Sequence, residues 1–125
     1  MWLFLRESFV SVVQHDDEHR LLVVRSRLAG DIERLFPEAE VAEDPVADYR
    51  FCATVPRDRV AQVVANRIQH IDYPSLNEAV EGTERSLGYD RAYGVMLEEQ
   101  VARYGSQDDD PVPAFTLPYD LNAEA

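Results

Sequence analysis

The chain has 125 residues, with 24 acidic side chains against 12 arginines and no lysine, and a formal net charge of −12. That balance disfavours binding to a nucleic-acid backbone or an anionic membrane surface, both of which need a basic footprint. An apolar share of 46% excludes wholesale disorder, and the length suits one domain of roughly 100–150 residues.

Residues 2–5 and 9–15 are rich in strand formers, and Arg6-Glu7-Ser8 between them is short enough for a hairpin. Residues 15–19 form a polar turn, and residues 21–27 read as a third strand. Its alternation puts Val24 and Ser26 on one face and Val23, Arg25 and Arg27 on the other. A short helix follows from Gly30-Asp31, with Asp31 as its expected N-cap, Ile32, Leu35 and Phe36 on its apolar side, and Pro37 as its stop. Residues 38–43 read as a charged edge strand and Asp44-Pro45 as a turn. Tyr49, Phe51, Ala53 and Val55 then alternate with Arg50, Cys52 and Thr54, so the odd positions are expected to face the helices.

Asp58 is the expected cap of an amphipathic helix whose apolar positions are Val60, Val63, Val64, Ile68 and Ile71. Ser75 and Glu78 have capping-box spacing ahead of a short helix that Gly82 ends. The last helix runs over about residues 85–104, with Tyr89, Ala92, Tyr93, Met96, Leu97, Val101 and Tyr104 as its stripe and Gly105 as its stop. Gly94 inside it costs about 1 kcal/mol of helix propensity, which points to close packing. Residues 106–125 change character, with five acids, three prolines and no base. The expected fold class is α+β, with a mostly antiparallel sheet of four to five strands, helices packed on one face, and a partly ferredoxin-like order. The expected domains are a single unit over residues 1–105 and an acidic C-terminal tail over residues 106–125.

The single cysteine, Cys52, excludes an internal disulfide and reads as a buried thiol. Arg6 and Glu7 interrupt the apolar opening, so no leader is read. No run approaches the roughly 20 apolar residues of a membrane span, and a cytoplasmic location is expected. The arginine-only basic set reads as coding bias, as adaptation to salt, or as an acidic surface imitating nucleic acid; only the last is a function.

Met1-Trp2-Leu3-Phe4 followed by Phe9-Val10-Ser11-Val12-Val13 resembles the opening of a widespread family of small bacterial proteins of unknown function. The resemblance continues through Arg25-Ser26-Arg27, Asp48-Tyr49-Arg50-Phe51, Val55-Pro56, Ile71-Asp72-Tyr73 and Tyr93-Gly94-Val95-Met96. It departs at Pro74-Ser75-Leu76-Asn77, where the family pattern has Asp/Thr-Asn-Phe-Lys, and near Tyr93 and Gly94, where the family has a tryptophan. It implies a fold but no activity.

Three constellations are candidates for chemistry. Arg25 and Arg27, with Tyr49 and Arg50 from another strand, form an anion-binding patch if the strands are neighbours; otherwise they decorate an open sheet face. His70 and Tyr73 near the end of a helix are candidate pocket residues, and a lone histidine there also suits the helix dipole. Phe115, Leu117, Tyr119 and Leu121 make the tail either a segment that folds back or one that docks on a partner. His15 and His19 carry metal-ligand chemistry, but in a turn their spacing has no fixed geometry, so no metal is expected. Ser8 and Ser11 lack a nucleophile-elbow context, and no phosphate-binding glycine loop is present. No catalytic residue and no cofactor is expected.

The leading expectation is therefore a non-catalytic module that binds another protein, with a homodimer through the sheet or the long helix as a further option. An acidic, phage-type inhibitor that blocks the nucleic-acid groove of a defence enzyme is one alternative. A small-molecule binder or small enzyme is the other.

Overall fold

Wherever apolar and polar residues alternate, the chain extends. β1 (Trp2–Phe4), β2 (Phe9–Gln14), β3 (Leu21–Ser26), β4 (Ala42–Glu43) and β5 (Phe51–Pro56) form one sheet in the computed structural model, which describes residues 1–105. The strand order is β1-β2-β3-β5-β4, and every neighbouring pair is antiparallel. Contacts divide the chain into two compact units, Met1–Leu76 and Asn77–Ala125.

In the first unit α1 (Asp31–Leu35) and α2 (Arg57–Gln69) lie on one face of the sheet. The register aligns Val12 with Val24 and Val24 with Ala53, giving an apolar row across three strands. Val10 and Val55 extend that row into a core closed by Ile32, Leu35, Phe36, Val60 and Val63. Each such aliphatic or aromatic side chain contributes about 1.5–3 kcal/mol when fully buried. β3 and β4 are both antiparallel to β5 between them, so they run parallel to each other and α1 makes the crossover. This split β-α-β unit is the ferredoxin-like part of the fold, with β2 occupying the other side of β3.

A buried carboxylate anchors the crossover. Gly30, not Asp31, is the N-cap of α1, in the left-handed region at φ 89°. A Cβ at this position would stand 3.2 Å from the Arg34 guanidinium, which would have to give slightly; the positive φ is what favours glycine. Asp31 thereby becomes the first helical residue, and its side chain turns into the protein, where the residue is 0% exposed. Its Oδ2 accepts the Phe9 backbone N–H at 3.0 Å and its Oδ1 accepts from Arg34 Nη1 at 3.0 Å. The Ser8 hydroxyl donates to the Asp31 carbonyl at 2.9 Å. The β1–β2 turn and the start of α1 are joined by these bonds.

Elsewhere the local capping signals shift by a residue or two. α2 begins at Arg57 after Pro56, with no side-chain cap, and Asp58 sits in its first turn. There it still favours the positive end of the helix dipole. Glu38, beyond α1, is held by Arg59 of α2. That hydrogen bond keeps the Glu38 carboxyl below its ordinary range, so the link holds at neutral pH and is lost as the pH falls through the folded-state value.

At the boundary of the two units α3 (Leu76–Ala79) starts directly after Ser75, where the capping-box spacing places it, and Gly82 follows in the second unit at φ 78°. α4 (Ser86–Tyr104) ends at Gly105, whose N–H donates to the Val101 carbonyl at 2.8 Å. Asn77 Nδ2 donates to Asp90 Oδ1 at 2.8 Å and ties α3 to α4. The buried residues of α4 are Tyr89 and Gly94, whereas Tyr93, Met96 and Tyr104 of the expected stripe are exposed. Of the expected stripe only Tyr89 is buried, and Gly94, which was not in it, lies on the buried side. Among the described residues no helix is long and apolar enough to cross a membrane.

Replacing Asp31 by alanine leaves the Phe9 amide and the Arg34 guanidinium without their acceptor. We expect a loss of about 2–4 kcal/mol in urea unfolding, with the m-value unchanged. A loss below about 1 kcal/mol would show that the carboxylate is not the anchor of α1.

Candidate functional site

The face of the sheet opposite α1 and α2 is set by the odd positions of β3. Residues two apart on a strand share a face, so Arg25 and the following Arg27 project together. Opposite them the chain turns before β5: the Asp44 N–H donates to the Arg50 carbonyl at 2.8 Å and the Val46 N–H to Asp44 Oδ1 at 3.1 Å. This turn sets Tyr49 outside the period-two strand, which starts only at Phe51. Phe51, Ala53 and Val55 accordingly join the helix-facing core, whereas Tyr49, expected to face the helices, meets the two arginines instead.

The Arg25 guanidinium carbon lies 4.4 Å from the Tyr49 ring centroid and that of Arg27 lies 4.1 Å from it. Tyr49 as a residue is 8% exposed. Each such contact stabilises by about 0.5–2 kcal/mol, depending on how dry it is. Arg27 Nη1 donates to the Asp48 carbonyl at 2.8 Å and lies 3.4 Å from Asp48 Oδ1. Arg25 Nη2 donates to the Ser11 hydroxyl at 2.8 Å, and Ser11 is buried. Among the described residues Arg25 has no carboxylate partner, and its buried Nε has no hydrogen-bond acceptor. Leaving such a donor unmatched costs about 1–3 kcal/mol. Arg50 does not join the cluster; its Nε donates to Glu43 Oε1 at 2.8 Å on the edge strand.

A second surface lies between β1 and α2. Leu3 and Leu5 from the core face of the first hairpin, Val64 and Ile68 from α2, and Ile71 and Tyr73 beyond it line a hollow of about 470 Å³. A neighbouring hollow of about 540 Å³ shares Val64 and Ile68 and adds Met1, Val12, Leu22, Val60, Ala61 and Ala65. Met1 is 77% exposed, Ile68 63% and Ile71 53%. Ile68 and Ile71 had been expected on the buried stripe of α2. The helix ends at Gln69, however, and β1 offers only three residues of strand, so little sheet remains to cover its last turn.

Arginines rim this groove. Arg6 pairs with Asp72 at 3.1 Å and stands over the Tyr73 ring at 5.5 Å, while Arg67 Nε donates to Glu7 Oε1 at 2.7 Å. Arg57 donates to the His19 carbonyl at 3.0 Å. His70 follows α2 as its C-cap and lines the groove with Tyr73. Its Nδ1 is 2.8 Å from the Asn66 carbonyl; since a carbonyl only accepts, Nδ1 carries the hydrogen and donates it there.

The structure thus separates the six expected site residues within the described part of the chain. Arg25, Arg27 and Tyr49 converge, His70 and Tyr73 share a different surface, and Arg50 belongs to neither. Phe115, Leu117, Tyr119 and Leu121 lie outside the described residues. His15 Nδ1 accepts the Asp17 and Glu18 backbone N–H groups at 3.2 and 3.1 Å, closing its own turn. No group of three metal-ligating side chains occurs among the described residues. Cys52 is half-buried rather than buried, because it pairs with Arg25 on the face away from α1 and α2. Leu3, Leu5, Arg6 and Arg67 were not singled out from the sequence. Leu3 and Leu5 alternate like any core pair, and nothing in that pattern says where the cover stops.

The Tyr49 hydroxyl makes no hydrogen bond among the described residues, so Tyr49 meets the two arginines through its ring and not through its hydroxyl. Tyr49→Phe is expected to keep stability within about 0.5 kcal/mol of the parent, and Tyr49→Leu to lose about 1–3 kcal/mol in urea unfolding. Equal losses from both would assign the effect to the hydroxyl. Compared with protein-family models, curated proteins and solved structures, the chain matches none.

Proposed function

We propose that the protein is a non-catalytic interaction module that receives another protein on the apolar groove between β1 and α2. The observation that supports this reading is the continuity of exposed apolar side chains there, with Met1, Ile68 and Ile71 bordering two hollows that share a wall. Scattered exposed apolar residues are normal, but contiguous ones around a concavity mark interaction surfaces. Covering them gains about 25 cal/mol for each Å² of apolar area.

The rim describes the partner. Arg6, Arg57 and Arg67 stand around the groove; Arg6 is paired with Asp72 and Arg67 with Glu7, and among the described residues Arg57 has no carboxylate partner. An amphipathic segment complements this arrangement, its apolar side filling the hollows and an acidic residue at one end lying by Arg57.

Ile68→Glu and Ile71→Glu place a charge in the groove at exposed positions, where the expected stability change is within about 0.5 kcal/mol. A host protein captured by the parent chain is expected to bind each variant at least about tenfold more weakly, measured by calorimetry with the purified partner. Leu87→Glu on α4 is expected to leave that affinity unchanged. Equal affinity across all three variants would remove the groove from the interaction. A dimer in sedimentation that Ile68→Glu dissociates would instead identify a second copy as the occupant.

A further inference from the structure

We propose that Arg25, Arg27 and Tyr49 form a binding site for a phosphate-type oxyanion, on the sheet face opposite α1 and α2 and independent of the β1–α2 groove. The first ground is charge. Arg6, Arg50 and Arg67 each hydrogen-bond a carboxylate, whereas Arg25 has none among the described residues. Among the described residues its only hydrogen bond is to the Ser11 hydroxyl, which carries no charge to offset the guanidinium. Arg27 touches one carboxylate, Asp48, and more closely its carbonyl. Two cations on one ring against a single carboxylate leave a local positive excess on a chain of net charge −12.

The second ground is geometry. A guanidinium has five N–H donors in a rigid fork suited to phosphate and carboxylate oxygens; Arg25 commits one to Ser11 and buries its Nε–H, which leaves the other Nη donors for a ligand. Tyr49 restrains both guanidiniums by stacking, at 4.4 and 4.1 Å, so the two forks are ordered before any ligand arrives. Preorganised donors lose less freedom on binding than free surface arginines. A phosphate group offers three or more oxygens and up to two charges, enough to engage both forks. A carboxylate monoanion offers two oxygens and one charge and satisfies one fork. The site should therefore prefer phosphate to acetate at equal ionic strength.

The register supplies a reporter. Trp2 pairs with Ser11 and Ser11 with Arg25, so the single tryptophan stands two strands from the site, about 10 Å away. The test titrates the full chain with inorganic phosphate, phenyl phosphate and acetate, ionic strength being held constant with sodium chloride. The readouts are the arginine Nε–Hε signals in nitrogen-15 NMR and Trp2 fluorescence. Phosphate is expected to shift the Arg25 and Arg27 signals saturably. Arg25→Gln and Arg27→Gln are expected to weaken binding by about tenfold or more, and Arg50→Gln to leave it unchanged. Tighter binding of phenyl phosphate than of phosphate would identify an ester as the natural ligand, and the reverse a free anion. Non-saturating shifts spread over all arginines would overturn the site, as would saturable binding that survives both glutamine variants. Arg25→Lys, which keeps the charge but not the fork, is expected to fold and to bind more weakly than the parent; parent-like binding by it would overturn the role of the fork.

Discussion

The parity of β3 is the constraint on which the rest of the first unit depends. It is the third of five strands, paired on both sides, and its side chains divide the sheet into two chemically different faces. Val24, matched to Val12 and Ala53, starts the apolar layer that α1 and α2 close. Arg25, matched to Ser11 and Cys52, starts the polar row on the other side. A slip of one residue would put an arginine under Ile32 and a valine against Tyr49, exchanging both faces at once. Burial of a guanidinium in that core would cost far more than the slipped strand could recover, so the register is held by energetics on both neighbours.

Asp31 fixes the next layer to that sheet. A carboxylate without solvent is tolerated only where its lone pairs are matched, and here a backbone amide of β2 and a guanidinium of α1 match them. Because the acceptor belongs to the helix and one donor to the strand, the pairing also locates α1 along β2. Ile32, Leu35 and Phe36 then meet the valines without a long helix to guide them. A helix of five residues is too short to be stable alone, so this tether and its apolar side have to do together what length does elsewhere.

Much of this was legible from the residues. Alternation located β2, β3 and β5, and the opposition of Val24 to Arg25 could be read directly. Glycine located the ends of α3 and α4 because left-handed backbone is what stops a helix. What was not legible depended on partners distant in sequence. Tyr49 continues the odd series of Phe51, Ala53 and Val55, but the Asp44–Arg50 turn breaks the series one step earlier than the pattern does. Ile68 continues the stripe of Val60 and Val64, yet its exposure reflects the shortness of β1, more than sixty residues away in the chain. Periodicity states which side chains share a face; it does not state how much protein lies against that face.

The same distinction explains how an acidic chain can present cationic surfaces. Seven of its twelve arginines pair with a carboxylate among the described residues, and the exposed pairs contribute little to stability but cancel a charge locally. The surplus of acids remains as a long-range field that repels anions, and that field is damped within about 10 Å at 0.1 M salt. At Arg25 and Arg27 the balance reverses over a few ångströms, where fixed forks act through hydrogen bonds rather than through the field. At the proposed site an anion would thus be discouraged during approach and held only on contact. Raising salt from a low value should speed its encounter while weakening its hold, the opposite of what a uniformly basic surface does to the encounter step. Selection then rests on shape and donor geometry at the ring of Tyr49, and the net charge of the chain acts as a barrier to indiscriminate binding of anions.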